Sequence, residues 1–252
     1  MLEAQAVSKH FGGVTAVDDV SFKVAGGEIA GLIGPNGAGK TTMFNLLAGS
    51  LRPTSGRIRL KSRYVETSPP YARMSYGLGR TFQIPRPFAE MTVMENVLVA
   101  ARDQVGERML PNWIVPWRVG RLERANVEKA RSLIDFVKLG RLAGEPARTL
   151  SGGQRKLLEF ARVLMADPEI VLLDEPAAGV NPGLLETILT RIAEINARGV
   201  TFLIVEHNME VIARLCARVL VMVSGRILCE GKPREIASDP RVIEAYLGGA
   251  PR

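Results

Sequence analysis

The run Gly34-Pro35-Asn36-Gly37-Ala38-Gly39-Lys40-Thr41 fits the pattern G-x-x-x-x-G-K-[ST], follows the apolar stretch Ile29 to Ile33, and opens a segment of helical character. Glycines there let the backbone turn so that successive N–H groups face inward, towards phosphate oxygens. The helix N-terminus adds roughly half a positive charge. Lys40 is then placed to neutralise a β- and a γ-phosphate, Thr41 to ligate magnesium, and Thr42 to donate to an α-phosphate. A second chemical group is Ile170-Val171-Leu172-Leu173-Asp174-Glu175, an apolar strand ending in two carboxylates. Neighbours on a strand point to opposite sides, so the two acids do different work. Asp174 suits a magnesium-holding acid, and Glu175 can face the γ-phosphate and orient or deprotonate a water. No Asn-Lys-x-Asp stretch for reading guanine occurs, so adenine is the expected base. A third group, Leu150-Ser151-Gly152-Gly153-Gln154, precedes a helix, with Ser151 as a natural N-cap and two glycines leaving N–H groups for an anion. Alone, that turn also suits an ordinary capped helix.

Several elements must position these groups. Leu2 to Val7, Val20 to Val24 and Glu28 to Ile33 read as short strands punctuated by Gly12-Gly13 and Gly26-Gly27. Thr41 to Leu47 reads as a helix, and Arg57 to Leu60 as a strand after the Pro53-Thr54-Ser55-Gly56 turn. From Val93 to Leu139 helical periodicity dominates. Val127, Ala130, Leu133, Ile134 and Val137 mark one face of a helix that Gly140 is expected to end. Pro111-Asn112-Trp113 and Pro116-Trp117 form a loop whose aromatics either pack on neighbouring helices or contact a partner; packing is the expectation. From residue 151 helices (152–166, 183–197, 208–216) alternate with apolar strands (170–173, 201–205, 219–223). That alternation predicts a largely parallel sheet with helices on its faces.

The chain has 252 residues, 46% apolar and 23% charged, a composition that excludes disordered and fibrous classes. Its 33 basic and 26 acidic side chains give +7, but the excess is scattered, so it is weak evidence for nucleic acid or an anionic membrane face. The cluster Arg57, Arg59, Lys61 and Arg63 reads as a solvated sheet face. The two cysteines, Cys216 and Cys229, lack the partners of a zinc site or a disulfide framework and read as reduced packing residues. The start, MLEAQAVSKHF, shows no basic stretch followed by an apolar run, so no signal peptide and a cytoplasmic chain are expected. Apolar runs fall short of the roughly 20 residues that cross a bilayer. Any membrane work would need other chains to span it.

Read together, the phosphate loop, the strand ending in two acids and the Leu-Ser-Gly-Gly-Gln turn resemble the nucleotide-binding subunits of ABC proteins, over residue 2 to about 248. The resemblance implies a single ABC ATPase domain over 1–252 with an α/β fold. Its parts would be a P-loop NTPase core of mostly parallel sheet flanked by helices, an N-terminal antiparallel β subdomain, and an inserted helical subdomain. Core and β subdomain would take 1–83 and 151–252, the helical subdomain 84–150. It implies ATP and Mg2+ as cofactors. Phe11 matches the aromatic that stacks on adenine, where the commoner residue is tyrosine; a core phenylalanine is the alternative. Gln83, in Arg80-Thr81-Phe82-Gln83, matches the loop glutamine that touches magnesium, the alternative being a polar loop residue. His207 matches the switch histidine that hydrogen-bonds the γ-phosphate, whereas His10 has no such match and reads as surface. Ser151, Gly152, Gly153 and Gln154 would close over the ATP of a second ATPase subunit. In the loop Pro176-Ala177-Ala178-Gly179-Val180-Asn181, Asn181 replaces the usual aspartate, able to hydrogen-bond across the dimer but uncharged.

The stretches Arg80 to Phe88, Met91 to Val97, Glu175 to Gly179 and Ile243 to Gly248 resemble the ATPase subunit of importers for branched-chain and other hydrophobic amino acids. Implied partners are a second ATPase subunit, integral membrane permeases and, indirectly, a periplasmic or extracellular binding protein, at the cytoplasmic face of the cell membrane. Relatives of similar sequence serve urea or amide import and lipopolysaccharide export. A DNA-associated ABC ATPase is a further alternative, disfavoured because the interval from Thr42 to Leu150 has no sustained heptads or cysteine clusters; nucleic acid is therefore not an expected partner.

Overall fold

The computed structural model describes residues 1–82, 84–102 and 116–247; Gln83 and the Pro111-Asn112-Trp113 part of the aromatic loop lie outside them. The strands are β1 Leu2–Phe11, β2 Val14–Val24, β3 Ile29–Ile33, β4 Ser55–Leu60, β5 Arg63–Tyr64, β6 Leu78–Arg80, β7 Ile170–Asp174, β8 Thr201–Val205, β9 Arg218–Val223 and β10 Arg226–Gly231. The α-helices are α1 Lys40–Ala48, α2 Pro70–Ser75, α3 Val93–Leu98, α4 Pro116–Phe136, α5 Gly152–Met165, α6 Pro182–Ala197, α7 Met209–Leu215, α8 Pro233–Ala237 and α9 Pro240–Tyr246.

Every residue of β3, β7 and β8 is buried, as unbroken apolar runs require when both faces of a parallel sheet are covered. They sit inside a sheet of order β10-β9-β3-β8-β7-β6, parallel from β9 to β6 and antiparallel only at β9–β10. A second sheet, β2-β1-β4-β5, is antiparallel. Its first two strands run longer than the sequence pattern suggests. Pairing of β1 with β2 continues to Phe11↔Val14 across register shifts, with Ala6 and Asp19 at positive φ. Such bulges absorb the extra residues that break the apolar alternation.

The chain forms two compact units. The first comprises Met1–Arg80, Pro168–Ala177 and Ile192–Arg252, and holds both sheets. Its core includes Leu32, Met43, Phe44, Leu172, Leu203 and Leu220, all fully buried. Each such side chain contributes about 1.5–3 kcal/mol by leaving water. The second unit comprises Thr81–Asp167 and Ala178–Arg191, and so takes in α5 and the loop around Asn181 as well as 84–150.

In the second unit α3, α4 and α5 pack on one another. Ala130, Ile134 and Val137 are buried as the periodicity predicts, but Val127 is 39% exposed and off the packed face. The helix does not end at Gly140. Lys138 takes φ 62, its N–H donates to the Asp135 carbonyl and the Leu139 N–H to the Ile134 carbonyl, so the turn closes two residues earlier in a Schellman arrangement. Trp117 is 67% exposed, against the packing expected of it. Arg59 pairs with Glu3, and Lys61 with Glu169, so the basic cluster is partly neutralised. Both cysteines are free, and burial pushes the Cys216 thiol up to about 12.

Candidate active site

The carboxyl ends of β3, β7 and β8 lie side by side, because Leu32 and Asp174 both pair with Val205. In parallel α/β sheets this is the edge where ligands bind. The phosphate loop leaves β3 there. Gly34 has φ 152, and a Cβ on it would lie 2.0 Å from the Met222 carbonyl oxygen. Gly39 has φ 98, and its Cβ would lie 2.3 Å from the Ala16 carbonyl oxygen. Both positions thus require glycine, by conformation and by space. Gly39 also begins α1 with no side-chain cap, so no side chain competes for the first-turn N–H groups.

Lys40 is buried and donates from Nζ to the Gly34 and Pro35 carbonyls at 2.8 and 2.9 Å. Burial pushes its ammonium below the ordinary value, against the opposite pull of Glu175 and Asp174. A buried cation at the mouth of a glycine nest favours an anion. Loop and lysine therefore fit a polyphosphate.

Asp174, the last residue of β7, and Glu175, the residue after it, face different partners. Asp174 is buried, 3.5 Å from Arg80 Nη2, while Arg80 Nη1 donates to Asn45 on α1 at 2.7 Å. Glu175 takes φ 48, its N–H donates to the Val205 carbonyl at 2.9 Å, and its Oε1 lies 3.1 Å from His207 Nε2. The left-handed backbone turns this carboxylate away from the line of β7 and towards the histidine that follows β8. Among the described residues no group of three or more His, Cys, Asp or Glu could hold a metal alone. Asp174 and the Thr41 hydroxyl are hard oxygen donors of the kind that magnesium takes.

Phe11 ends β1 with 47% of its surface exposed, which removes it from the core. Lys9 Nζ lies 5.1 Å from its ring centroid. Phe11 pairs with Val14 at the hairpin tip, two residues before the Ala16 carbonyl that abuts Gly39. Gln83 lies outside the described residues.

The remaining expected residues belong to the second unit. Ser151 caps α5: its Oγ accepts the Gln154 N–H at 3.3 Å, and Gln154 Oε1 accepts the Ser151 N–H at 2.8 Å. Gly152 has open space where a side chain would stand. A Cβ on Gly153, by contrast, would lie 2.7 Å from Leu184 Cδ1, so this glycine lets α5 pack against the start of α6. Asn181 Oδ1 accepts the Leu184 N–H at 3.0 Å, a capping bond that asparagine makes as well as aspartate.

Two neighbours of the site have no role assigned from the sequence. Glu206 is buried between the loops that follow β7 and β8. Tyr246, on α9, has its phenol pushed above the ordinary value by burial, opposed by a hydrogen bond from the Gly34 backbone.

A glycine nest fed by β3 and flanked by the acids of β7 places the chain in the P-loop class of α/β nucleotide-binding folds. Residues 17–178 match the ABC transporter family, and residues 226–251 match a segment described as branched-chain amino acid ATP-binding cassette transporter. The chain belongs to the ABC transporter family. It is 41% identical over 248 residues to a probable branched-chain amino acid transport ATP-binding protein, LivG, of Archaeoglobus fulgidus, covering 98% of this chain and 95% of that one. A crystal structure of a nucleotide-free ATP-binding cassette from an ABC transporter superposes with TM-score 0.85 at 38% identity, over 98% of this chain and 99% of that one. The ADP conformation of an ATP-binding cassette of an ABC transporter gives TM-score 0.84 at 37% identity, over 98% of each chain.

Proposed function

We propose that this chain binds and hydrolyses ATP to energise an ABC transporter for branched-chain or other hydrophobic amino acids. The observation that carries the chemistry is the 3.1 Å approach of His207 Nε2 to Glu175 Oε1, at the end of a buried strand whose acids act on the buried Lys40. The cargo reading rests on the LivG relative and on the segment matched at 226–251.

In this reading Gly34 to Gly39 and the start of α1 wrap the phosphates with N–H groups. Lys40 would exchange its two carbonyls for the β- and γ-phosphate oxygens, and Thr42 would donate to the α-phosphate. Phe11 would stack on adenine, an interaction worth about 1–3 kcal/mol. Thr41, Asp174 and Gln83 would hold Mg2+, which, when bound, neutralises charge on the phosphate oxygens. Glu175 would orient the attacking water and take its proton on the carboxylate, with His207 donating to the γ-phosphate. Ser151, Gly152, Gly153 and Gln154 would cover the nucleotide of a second ATPase subunit, with Asn181 at the dimer interface. The γ-phosphate gripped by both subunits would supply the differential affinity that favours the closed dimer. Permease subunits, and through them a binding protein, would receive that motion at the cytoplasmic face of the membrane.

Replacing Glu175 by Gln tests this directly. Phosphate release by the purified chain is expected to fall on the order of 100-fold or more, with ATP still bound and a dimer retained on size-exclusion chromatography in ATP and magnesium. A variant that stays monomeric and turns over normally would refute the assignment.

A further inference from the structure

The geometry points to Glu206 as a positioning residue that sets the distance between Glu175 and His207, an inference resting on the functional reading above. Glu206 is 3% exposed at the end of β8. One carboxylate oxygen, Oε1, accepts the Ala177 N–H at 2.7 Å. The other, Oε2, accepts the His207 N–H at 3.0 Å and the Asn208 N–H at 3.3 Å. Glu206 therefore staples the loop that leaves Glu175 to the loop that carries His207. Asn208 in turn caps α7 through its side chain, accepting the Glu210 and Val211 N–H groups, which steadies the far side of the histidine.

The staple matters because neither catalytic side chain is fixed by its strand alone. Glu175 lies one residue beyond β7 in a left-handed conformation, and His207 lies two residues beyond β8. Between them the Glu175 N–H bond to Val205 fixes the backbone of the acid, and Glu206 fixes the segments on either side. A buried carboxylate with three N–H donors holds its place firmly, since each charge-assisted bond is stronger than a neutral one. The same carboxylate tethers Ala177, the residue from which the chain runs on to Asn181 in the loop that departs from the usual family pattern.

Gln at position 206 keeps the shape and loses one acceptor. Whichever oxygen becomes the amide nitrogen, one of the two loops faces a donor instead of an acceptor. For the full-length Glu206→Gln variant, kcat for ATP hydrolysis is expected to fall on the order of 10- to 100-fold, the scale that a displacement of about 1 Å produces. Affinity for ATP measured by calorimetry in EDTA, where the phosphate loop binds without turnover, should stay within about twofold of wild type. Because Glu206 acts on the spacing of Glu175 and His207, the losses of Glu206→Gln and His207→Ala should not multiply in the double variant. Turnover of Glu206→Gln within about twofold of wild type would overturn the inference, as would affinity falling in step with kcat, or losses that multiply in the double variant. Absence of turnover in the wild-type chain would instead refute the functional reading, and this inference with it.

Discussion

Lys40 turns its ammonium onto the Gly34 and Pro35 carbonyls, and burial leaves it with much to gain from a phosphate. Replacing Lys40 by Ala should weaken ATP binding on the order of 100-fold, corresponding to about 3 kcal/mol for the lost charge-assisted bonds, as read by calorimetry. Undiminished affinity would refute its role. Lys40, Asp174 and Glu175 are singled out in the sequence by residue type and spacing from strand ends, and His207 by the family resemblance alone. Glu206 is not. In Ile204-Val205-Glu206-His207-Asn208 nothing in the order of residues separates a solvated acid from one accepting three N–H groups. Its burial follows from β8 lying between β3 and β7, which is a fact of topology. The part of Tyr246 is unreadable for a similar reason, since its contact with Gly34 joins α9 to the loop that follows β3.

Among elements, β3, β7, β8 and β9 are readable from their apolar runs, and the start of α5 from the capping pattern at Ser151. β6 is not, being only Leu78–Arg80, nor is β10, whose short apolar run Ile227 to Cys229 is half-buried and flanked by charged residues. The end of α4 falls before the expected position because a lysine, not the nearby glycine, adopts the left-handed turn. The antiparallel sheet has its own electrostatic lock. Glu3 on β1 stands opposite Lys23 on β2 and Arg59 on β4 and pairs with both. Hydrogen bonding from Gln5, then from Lys23 and Arg59, lowers its carboxyl from the ordinary 4.5 to about 2. A folded-state value below the unfolded one means stabilisation that is complete above 4.5 and lost as pH falls towards 2. The melting-temperature gap between wild type and Glu3→Gln should therefore be constant near neutrality, narrow below pH 4.5 and close near pH 2. A gap unchanged across that range would show that the pairs contribute nothing to folding.

For the molecule as a whole, family membership rests on agreement between a local motif set and a match that spans nearly the full chain. The first unit carries the phosphate loop, Asp174, Glu175, Glu206 and His207, and the second carries Ser151 to Gln154 and Asn181. No helix among the described residues is long and apolar enough to cross a membrane; in the proposed function, permease subunits carry the cargo. In the proposed function, hydrolysis and transport both depend on the Glu175 carboxylate. The most direct measurement is uptake of labelled leucine by cells of the source organism carrying the wild-type chain, Glu175→Gln, or no copy. The account predicts ATP-dependent uptake with wild type alone, and none with Glu175→Gln despite equal expression and intact ATP binding. Full uptake in cells lacking the chain, or in cells whose only copy is Glu175→Gln, would contradict it.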